Sequence, residues 1–460
     1  MEYFSRRTSS GTNLKSSDLY EYFVDNFWFK AARLENETIN EPLRGDHRAD
    51  VVIIGGGYTG LSSAFNIQRR FPDRKITLLE GACCGYGASG RNGGFCITTD
   101  LLGDPTGLDD ESIQKRIEVS CYGLKQIKEL VNQRGVECDL VENGMLSLAR
   151  TEEEARLLEK RAQELKRFGL QSTLLQGAGL EAEIRSPQFV AGLMQPHNAN
   201  LNPAKLARGM KRVVEGLGVE IRERSVVRRI VPGRVHRVET ERGRIDAPVM
   251  VLAMNGYSPK LGVFRNRIFP LCSYIIATQP LSPEQWESVG LEQRRGFGDL
   301  RAQFNYAAPS ADGRIVIGGS DYPYYKNDGL SPGFNAAVRD LLIADLLAMF
   351  PQLEGIGIDH SWGGTMSGSR NLTPSVGVIG VHKNVYYGVG FFEGVPTSQT
   401  AGRIIADLMA GEPTVFTEHE VVNRKIPYAG PQFVRNIAVP VVKALVTRSK
   451  RGREYILERA

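Results

Sequence analysis

Residues 51–70, VVIIGGGYTGLSSAFNIQRR, join an apolar run to three consecutive glycines and then to a segment with helical spacing of its apolar residues. The β-branched run that ends at Ile54 predicts a buried parallel strand. Gly55, Gly57 and Gly60 have GxGxxG spacing, in which the glycines allow a tight turn, the close approach of a phosphate, and close packing of helix on strand. The stretch therefore predicts a phosphate-binding turn at a helix N-terminus, where the helix dipole is positive.

The sequence after this helix indicates what carries the phosphate. RKITLLEG predicts a second strand that ends at Glu80, twenty residues beyond Gly60. A carboxylate at that place accepts hydrogen bonds from the hydroxyl groups of an adenosine ribose. The two strands and the turn between them therefore predict a dinucleotide site.

The next segment favours FAD over NAD as the dinucleotide. Residues 81–95, GACCGYGASGRNGGF, hold six glycines together with Ser89, Arg91 and Asn92. Glycine-rich backbone can lie along an extended ligand without side-chain clashes. A nicotinamide-binding chain usually continues into an ordinary helix and strand instead, so we expect residues 81–95 to contact the flavin half.

Composition and cysteine spacing limit the classes of protein to which the chain can belong. The chain has 460 residues, of which 42% are hydrophobic, enough for two or three globular domains. We find no apolar run long enough to span a membrane and no signal-peptide core at the N-terminus. The six cysteines are scattered, without a CxxC pair or a Cys/His cluster, which predicts reduced thiols, no metal site and a cytoplasmic location.

The positive charge is concentrated at the C-terminal end. Residues 431–460 contain seven basic and two acidic side chains, an excess that equals the net charge of +5 for the whole chain. The rest of the chain is therefore neutral, which argues against a nucleic-acid partner.

Longer motifs identify a family. The chain carries VMVLAMNGYSP from residue 249, SYIIATQPL from residue 273, WGGTM from residue 362 and YYGVGFFEGV from residue 386. With these motifs it resembles the D-amino-acid-oxidase-like FAD-dependent oxidoreductases, and within them the gamma-glutamylputrescine oxidoreductase-type amine oxidases. The resemblance covers about residues 49 to 413.

The resemblance implies FAD as the cofactor and a set of residues that hold it. Some relatives attach FAD through a cysteine in the C-terminal half, but no cysteine follows Cys272, so we expect noncovalent FAD. The implied cofactor-binding residues are Gly55, Gly57, Tyr58, Thr59, Gly60, Glu80, Gly81, Ser89, Gly90, Arg91, Asn92, Gly93, Gly94, Val226, Val227, Ala253, Asn255, Gly363, Gly394 and Val395.

The implied fold class is α/β with an α+β substrate domain. A Rossmann-like FAD-binding domain would be interleaved with a substrate domain built on an antiparallel sheet with helices on one side. The expected segments are an N-terminal extension (1–48), the FAD-binding domain (49–102, 190–257 and 355–415), the substrate domain (103–189 and 258–354) and a basic C-terminal tail (416–460).

Four residues are candidates for the reacting centre. Oxidation of an amine by a flavin removes a hydride from the carbon next to nitrogen, so the protein supplies mainly placement. Tyr274 and Tyr306 would form an aromatic wall, Trp362 would lie beside the flavin, and Glu393 would meet a cationic amine. Each also has a plain structural interpretation, as core packing for the aromatic residues or as a solvated loop carboxylate for Glu393.

The chain departs from the family pattern at three places. Phe392 and Glu393 interrupt the glycine turn before the last helix, which leaves the substrate open. Asn371 stands where relatives often have an aspartate. The strand GRIVIGG begins with Arg314 and lacks the lysine that helps some relatives react with O2.

Several functions therefore remain open. The leading hypothesis is an FAD-dependent enzyme that oxidises a C–N bond of a small amine or amino-acid-like substrate to an imine, with O2 as acceptor. A dehydrogenase that passes electrons to a quinone or carrier is the first alternative. A non-catalytic flavin-binding protein, which no amine would reduce, and an RNA-modifying flavoenzyme, which would bind nucleic acid in a salt-dependent way, are the others.

The basic tail bears on the acceptor. Apolar residues recur at helical spacing from Phe433 to Leu445, although Pro440 would kink a helix there. Such a helix would either contact an anionic membrane peripherally or pack back on the body of the protein or on a partner subunit.

Overall fold

The computed structural model describes residues 26–33, 37–99, 101–301, 303–392 and 394–448, with side chains in the last range described through residue 441. The predicted role of Glu393 lies outside these residues.

Strands are numbered in chain order. They are β1 Gly45–Arg48, β2 Val51–Ile54, β3 Ile76–Leu79, β4 Phe95–Cys96, β5 Met145–Ala149, β6 Thr173–Leu175, β7 Ala191–Gln195, β8 Ala199–Asn200, β9 Glu220–Arg222, β10 Val227–Val231, β11 His236–Thr240, β12 Gly243–Ala247, β13 Val249–Leu252, β14 Ile268–Thr278, β15 Gly296–Asp299, β16 Asn305–Pro309, β17 Ile315–Gly319, β18 Ile358–Ser369, β19 Ser375–Ile379 and β20 Val385–Val389.

Helices are numbered in the same way, and short 3-10 turns carry no label. The helices are α1 Phe27–Ala31, α2 Tyr58–Arg70, α3 Asp110–Arg134, α4 Glu152–Arg167, α5 Ala178–Glu181, α6 Pro203–Gly216, α7 Pro283–Val289, α8 Ala336–Met349, α9 Val395–Ala410 and α10 Gln432–Arg448. Within the described residues, none of them is long and apolar enough to cross a membrane.

The predicted Rossmann-like sheet is present. It has the order β19-β20-β13-β2-β3-β9, and every pair is parallel except β19 with β20. Both faces of β2 and β3 are buried, which explains why their sequences are continuous apolar runs rather than alternating patterns. Helix α2 follows β2 directly, so its N-terminus lies at the carboxyl edge of the sheet, where ligands bind in such folds.

The second large sheet has the order β18-β14-β17-β16-β15-β5-β7-β6. It is antiparallel as predicted, except for the parallel pair β5 and β15. Its strands alternate along the chain with those of the parallel sheet, so the two parts are interleaved; the exact segment boundaries remain predictions. A four-stranded sheet, β1-β12-β11-β10, packs against the parallel sheet through shared core residues such as Val52 and Ile245.

Local sequence signals explain most helix ends. Thr151 accepts a hydrogen bond from the backbone of Glu154 and begins the predicted helix α4, which carries acidic residues in its first turn and basic residues in its last. Asn202 caps α6 in the same way, with Pro203 in the first helical position. The left-handed glycines Gly135 and Gly411 end α3 and α9.

One local prediction needs correction. VEIRERSVV is not one strand, because Arg224 takes a left-handed conformation (φ 51°) and separates β9 from β10, so Val226 lies in the connecting turn. Helix α10 runs through Pro440, and the kink at this residue stays a prediction.

Candidate active site

One large cavity lies where the parallel sheet and the eight-stranded sheet meet. Its volume is about 880 Å³, and residues from the carboxyl ends of β2 and β3 and from β5, β14 and β16 line it. The glycine-rich segment, the 3-10 turn that starts at Asn255 and the N-terminus of α9 also line it. The cavity therefore connects the predicted dinucleotide turn with the predicted substrate domain.

The glycines of the turn after β2 are required by the packing around them. Gly55 has φ +109°, and a Cβ there would lie 2.6 Å from the carbonyl oxygen of Ala253. A Cβ at Gly60 would lie 1.8 Å from the carbonyl oxygen of Gly55. Both contacts are with backbone, which cannot move aside, so neither position accepts a side chain. Gly57 precedes α2 and lines the cavity, leaving the helix N-terminus open to it.

Glu80 is fixed at the end of β3 by two backbone donors. The backbone N–H groups of Gly56 and Ala82 donate to its two carboxylate oxygens at 2.7 and 2.8 Å. Burial nevertheless raises the pKa of Glu80 to about 7, since the two hydrogen bonds offset only part of the desolvation. The carboxylate borders the cavity beside Val226, which a Cβ on Gly81 would contact at 3.5 Å.

A buried ionic cluster supports the glycine-rich segment from behind. The carboxylate of Glu223, which is fully buried, accepts hydrogen bonds from the Cys84 backbone at 2.7 Å, from Arg208 at 3.0 Å and from Lys211 at 2.6 Å. Burial raises the pKa of Glu223, but the Arg208 guanidinium and the hydrogen bond from Lys211 outweigh it and leave the pKa below its usual value. The cluster thus ties the segment after Glu80 to helix α6.

Two indole rings hold consecutive carbonyl groups of the glycine-rich segment. Trp362 Nε1 donates to the carbonyl oxygen of Arg91 at 2.9 Å, and Trp28 Nε1 donates to that of Asn92 at 2.8 Å. The Arg91 guanidinium lies over the rings of Phe29 and Tyr86, 5.2 and 4.9 Å from their centroids. Helix α1 and strand β18 therefore fix the backbone that borders the cavity.

The side chains of Ser89 and Asn92 stabilise the local turn. Ser89 Oγ accepts a hydrogen bond from the backbone of Tyr58 at 2.9 Å, at the N-terminus of α2. Asn92 accepts from the backbone of Gly94 at 2.8 Å and donates to the carbonyl of Ala88 at 3.1 Å. These contacts hold both side chains at the cavity wall.

Asn255 and the N-terminal end of α9 form another part of the cavity wall. Asn255 is left-handed (φ 42°), which asparagine tolerates, and its side chain accepts hydrogen bonds from Gly390 at 3.1 Å and Ser367 at 2.5 Å. Gly394 caps α9 without a side-chain hydrogen bond among the described residues, and both Gly394 and Val395 line the cavity. The positive end of a second helix dipole therefore faces it.

Five aromatic side chains that line the cavity form a cluster, which we call the aromatic cluster. Neighbouring ring centroids lie 5.5 to 6.4 Å apart, and all five rings line the cavity. The members are Phe95, Phe304, Tyr306, Tyr322 and Phe392. The ring of Tyr306 lies against the glycine-rich segment, since a Cβ on Gly93 would be 2.6 Å from it, and the Tyr306 hydroxyl is 3.0 Å from Ser273 Oγ.

A polar wall lies beside the aromatic cluster. Arg301 borders the cavity and donates to Asp299 at 2.8 Å and to Asp345 at 3.2 Å. Asp299 also pairs with Arg150 at 3.0 Å, so the two guanidinium groups and two carboxylates neutralise one another. Burial raises the pKa of Asp299 despite both arginines.

The structure brings most of the predicted cofactor residues to the cavity. Lining it are Gly55, Gly57, Tyr58, Thr59, Glu80, Gly81, Ser89, Arg91, Asn92, Gly93, Val226, Val227, Ala253, Asn255, Gly394 and Val395. Gly60, Gly90, Gly94 and Gly363 do not line it. Gly60 and Gly94 instead permit close backbone packing, the latter because a Cβ would lie 2.0 Å from the Leu201 carbonyl oxygen.

The candidate residues for the reacting centre differ in whether they line the cavity. Tyr306 lines the cavity. Tyr274 does not, because side chains alternate along β14 and Ser273 and Ile275 take the cavity face, while Tyr274 enters the core and bonds Tyr325 through its hydroxyl at 2.5 Å. This position corrects the prediction that Tyr274 forms a wall of the site.

Neither Trp362 nor Arg314 lines the cavity. Trp362 is buried with Phe27 and Trp28, outside the cavity lining, and it holds the cavity-lining backbone through its hydrogen bond to the carbonyl of Arg91. The backbone after it approaches the cavity at Gly364 rather than at Gly363. Arg314, at the start of β17, is paired with Asp312 and Asp359 away from the cavity.

Sequence reasoning missed Trp28, Glu223, Arg301 and most of the aromatic cluster. Phe304 and Tyr306 have the two-residue spacing of one strand face, which was a usable signal. Trp28 and Glu223 act through contacts that are distant along the chain, so no local pattern marks them.

The cavity fits FAD. Side-chain-free backbone at Gly55 and Gly57, an open helix N-terminus and a fixed carboxylate at Glu80 form a cradle that a Cβ would fill. Within the described residues, no three His, Cys, Asp or Glu side chains form a group able to hold a metal ion.

Comparison with known proteins agrees with this fit. The chain is 29% identical over 439 residues to the probable oxidoreductase OrdL of Haemophilus influenzae, covering 92% of this chain and 96% of that protein. It is 28% identical over 392 residues to gamma-glutamylputrescine oxidoreductase of Escherichia coli, covering 83% and 87%. The structure of glycine oxidase from Geobacillus kaustophilus superposes with a TM-score of 0.68 at 21% identity, covering 80% and 96%.

The sequence profile of one family extends over most of the chain. It is described as FAD dependent oxidoreductase (DAO), and it matches residues 50–408. The chain therefore belongs to the DAO family of FAD-dependent oxidoreductases and is an enzyme with FAD as its cofactor.

Proposed function

We propose that the protein oxidises a C–N bond of a small amine or amino-acid-like substrate to an imine, which water then hydrolyses, and that O2 is the electron acceptor. The observation that carries the proposal is a single cavity of about 880 Å³ that joins the dinucleotide cradle to the aromatic cluster. The names of the relatives, gamma-glutamylputrescine oxidoreductase and glycine oxidase, support this substrate class.

The residues at the cavity have distinct proposed roles. FAD, bound noncovalently, supplies the acceptor for the hydride that leaves the carbon next to nitrogen. Gly55, Gly57 and Glu80 hold its adenosine diphosphate half, and the segment from Ser89 to Gly93 borders its flavin half. The other predicted cofactor-binding residues that line the cavity form the rest of the FAD-binding site.

The aromatic cluster binds the amine and excludes water from it. Aromatic faces attract an alkylammonium group by cation–π interaction and cover its alkyl chain. When the Tyr306 hydroxyl donates a hydrogen bond to Ser273 Oγ, its oxygen can accept a hydrogen bond from the amine N–H. Tyr306 thereby orients the nitrogen, and Arg301 borders the far end of the substrate.

The alternative acceptor is a quinone or carrier, as for a dehydrogenase. The observation in its support is that Arg314, just before β17, pairs with Asp359 and does not line the cavity. Oxygen consumption and peroxide formation during turnover, compared with reduction of a soluble quinone, distinguish the two. A cytoplasmic location is consistent with the six cysteines, all described and all free thiols.

The proposal is tested by turnover with a panel of primary amines, N-alkyl amino acids and free amino acids, with detection of the aldehyde or oxo acid formed. We expect one chemical class to give product in proportion to acceptor consumed. Absence of product across the panel from flavin-loaded protein would favour a non-catalytic flavin-binding protein.

Glu80 predicts a pH dependence of FAD affinity. Ribose hydroxyls donate to the ionised carboxylate, whose pKa in the free protein is about 7, so affinity is full above this pH and is lost as the pH falls through it. We expect Kd to rise about tenfold from pH 8 to pH 6. In Glu80→Gln the affinity at pH 8 falls about tenfold and the pH dependence disappears. Fluorescence titration measures the affinity for FAD and its pH dependence. Glu220→Gln, a change outside the cavity lining, is the control. If the affinity of the wild type for FAD did not change with pH, the role of Glu80 would be contradicted.

Tyr306 and Tyr274 form a matched pair, since both lie in the same sheet and both make hydroxyl hydrogen bonds. We expect Tyr306→Phe to lower kcat/KM for the amine about tenfold with little change in stability. Tyr274→Phe is expected to lower the free energy of unfolding by about 1 kcal/mol and leave kcat/KM unchanged. Steady-state kinetics and urea unfolding measure the two effects. The opposite result, in which only Tyr274→Phe lowers kcat/KM, would place the substrate on the face of the sheet that carries Tyr274.

The aromatic cluster predicts an effect on substrate binding. We expect Tyr322→Leu to raise KM for the amine about tenfold, because a ring face that contacts the ammonium group is lost. Phe334→Leu, which alters a ring that is 47% exposed and outside the cavity lining, is expected to leave KM unchanged. Equal KM values for wild type and Tyr322→Leu would remove the cluster from the substrate site.

A further inference from the structure

Helix α10 is anchored to the body through its inner face. Arg435, only 2% exposed, pairs with Asp328 at 2.6 Å and donates to Asn266 at 3.1 Å. Asn436 accepts a hydrogen bond from the backbone of Asn327 at 3.0 Å. The helix is therefore held in a defined orientation at this end.

The same inner face borders the cavity. Arg435, Ala438 and Val439 are among its lining residues, as are Phe269 and Leu271 of β14. Helix α10 consequently covers one side of the cavity, and whatever contacts its outer face lies next to a wall of the candidate active site.

The outer face of α10 is apolar and exposed. Phe433 and Ile437 are each 69% exposed and Val441 is 52% exposed, and their spacing of four residues places them in one row along the helix. Val434, 40% exposed, lies beside this row. We call these four residues the outer stripe. Large apolar side chains that adjoin one another on a surface mark a contact site, because their exposure to water is unfavourable.

The charge of the following sequence indicates the kind of partner. Residues 442–460 contain six basic and two acidic side chains, an excess of four positive charges directly after the outer stripe. An apolar helix face with adjacent basic residues binds an anionic lipid surface by burial of the face and by attraction to the headgroups. A second copy of the chain is a poorer fit, since pairing through the stripe would bring two such positive segments together.

We propose that the outer stripe of α10 docks the protein peripherally on a membrane surface that contains anionic lipids. Docking in this way places the wall formed by Ala438 and Val439 next to the lipid.

Vesicle sedimentation of the full-length, flavin-loaded protein tests the proposal without any substrate, so the result is independent of the proposed reaction. Wild type is expected to sediment with vesicles of phosphatidylcholine and phosphatidylglycerol and at least ten times less with phosphatidylcholine alone. Phe433→Ser with Ile437→Ser is expected to weaken binding to the anionic vesicles at least tenfold. Leu341→Ser, which changes an apolar residue of α8 that is 50% exposed, is expected to bind as wild type does.

Flavin content and thermal unfolding of each variant establish that it is folded. Wild type that stays in the supernatant with anionic vesicles overturns the proposal, as does unchanged binding of the Phe433→Ser and Ile437→Ser variant. A dimer in solution that this variant converts to a monomer, without vesicle binding by wild type, would show that a second copy covers the stripe instead.

Discussion

Replacing Gly57 by valine is expected to give a folded protein that has lost FAD. Gly57 lines the cavity immediately before α2, and even a Cβ there would lie 2.8 Å from Ser89 Oγ. The two methyl groups of valine would extend farther, into the space where a phosphate meets backbone N–H groups. We expect the affinity for FAD to fall about 1000-fold, or about 4 kcal/mol.

The flavin-to-protein absorbance ratio and a fluorescence titration of the apoprotein measure this loss. Gly216→Ala is the matched control, because a Cβ at Gly216, at the end of α6, meets no atom within 4 Å. Circular dichroism of both variants checks that the fold is retained. Stoichiometric FAD with wild-type affinity in Gly57→Val would show that the cofactor does not lie on this turn.

The second large effect concerns Glu223, whose loss is expected to destabilise the fold by about 3–5 kcal/mol. Glu223→Ala leaves Arg208 and Lys211, each with a side chain only 4% exposed, without the carboxylate between them. The variant also removes the acceptor of the Cys84 backbone N–H, so the segment that follows Glu80 loses an anchor. We therefore expect weaker FAD binding in addition to lower stability.

Urea unfolding of the apoprotein measures the change, with Glu241→Ala as the control. Glu241 is 57% exposed in its pair with Arg228, so its loss is expected to cost less than about 1 kcal/mol. The pKa of Glu223 is lowered in the fold, so its contribution is present at neutral pH and is lost as the pH falls through that lowered value. Equal stabilities of the two variants at pH 7 would mean that the buried cluster is not stabilising.

The sequence was sufficient to predict the cofactor cradle because its signals are local. The strand, the GxGxxG turn, helix α2 and Glu80 follow one another within thirty residues, and each residue type is required by a backbone conformation or a close contact. The glycine-rich segment was recognisable for the same reason. Most predicted cofactor residues accordingly line the cavity.

The substrate side was harder to predict because it depends on which face of a strand points inward. Tyr274 and Tyr306 have equal β-propensity, yet only Tyr306 faces the cavity. The registers of β14 and β16 against β17 decide this, because both Ile275 and Tyr306 pair with Gly318 and therefore share a face, while Tyr274 takes the other. Trp28 was assigned to an N-terminal extension, although it packs against Trp362 and holds the Asn92 carbonyl. Such contacts between distant segments leave no periodic signal in the sequence.

The central claim, that one cavity brings an amine to a bound flavin, is tested most directly by anaerobic titration of the flavin-loaded protein with the amine and amino-acid panel. We predict that one class of compound removes the oxidised-flavin absorbance at a rate that saturates with concentration, and that Tyr306→Phe lowers this rate or weakens the saturation. Readmission of air then separates oxidase from dehydrogenase by the speed of reoxidation. If the flavin stays oxidised across the panel while a chemical reductant reduces it, amine oxidation at this cavity is contradicted.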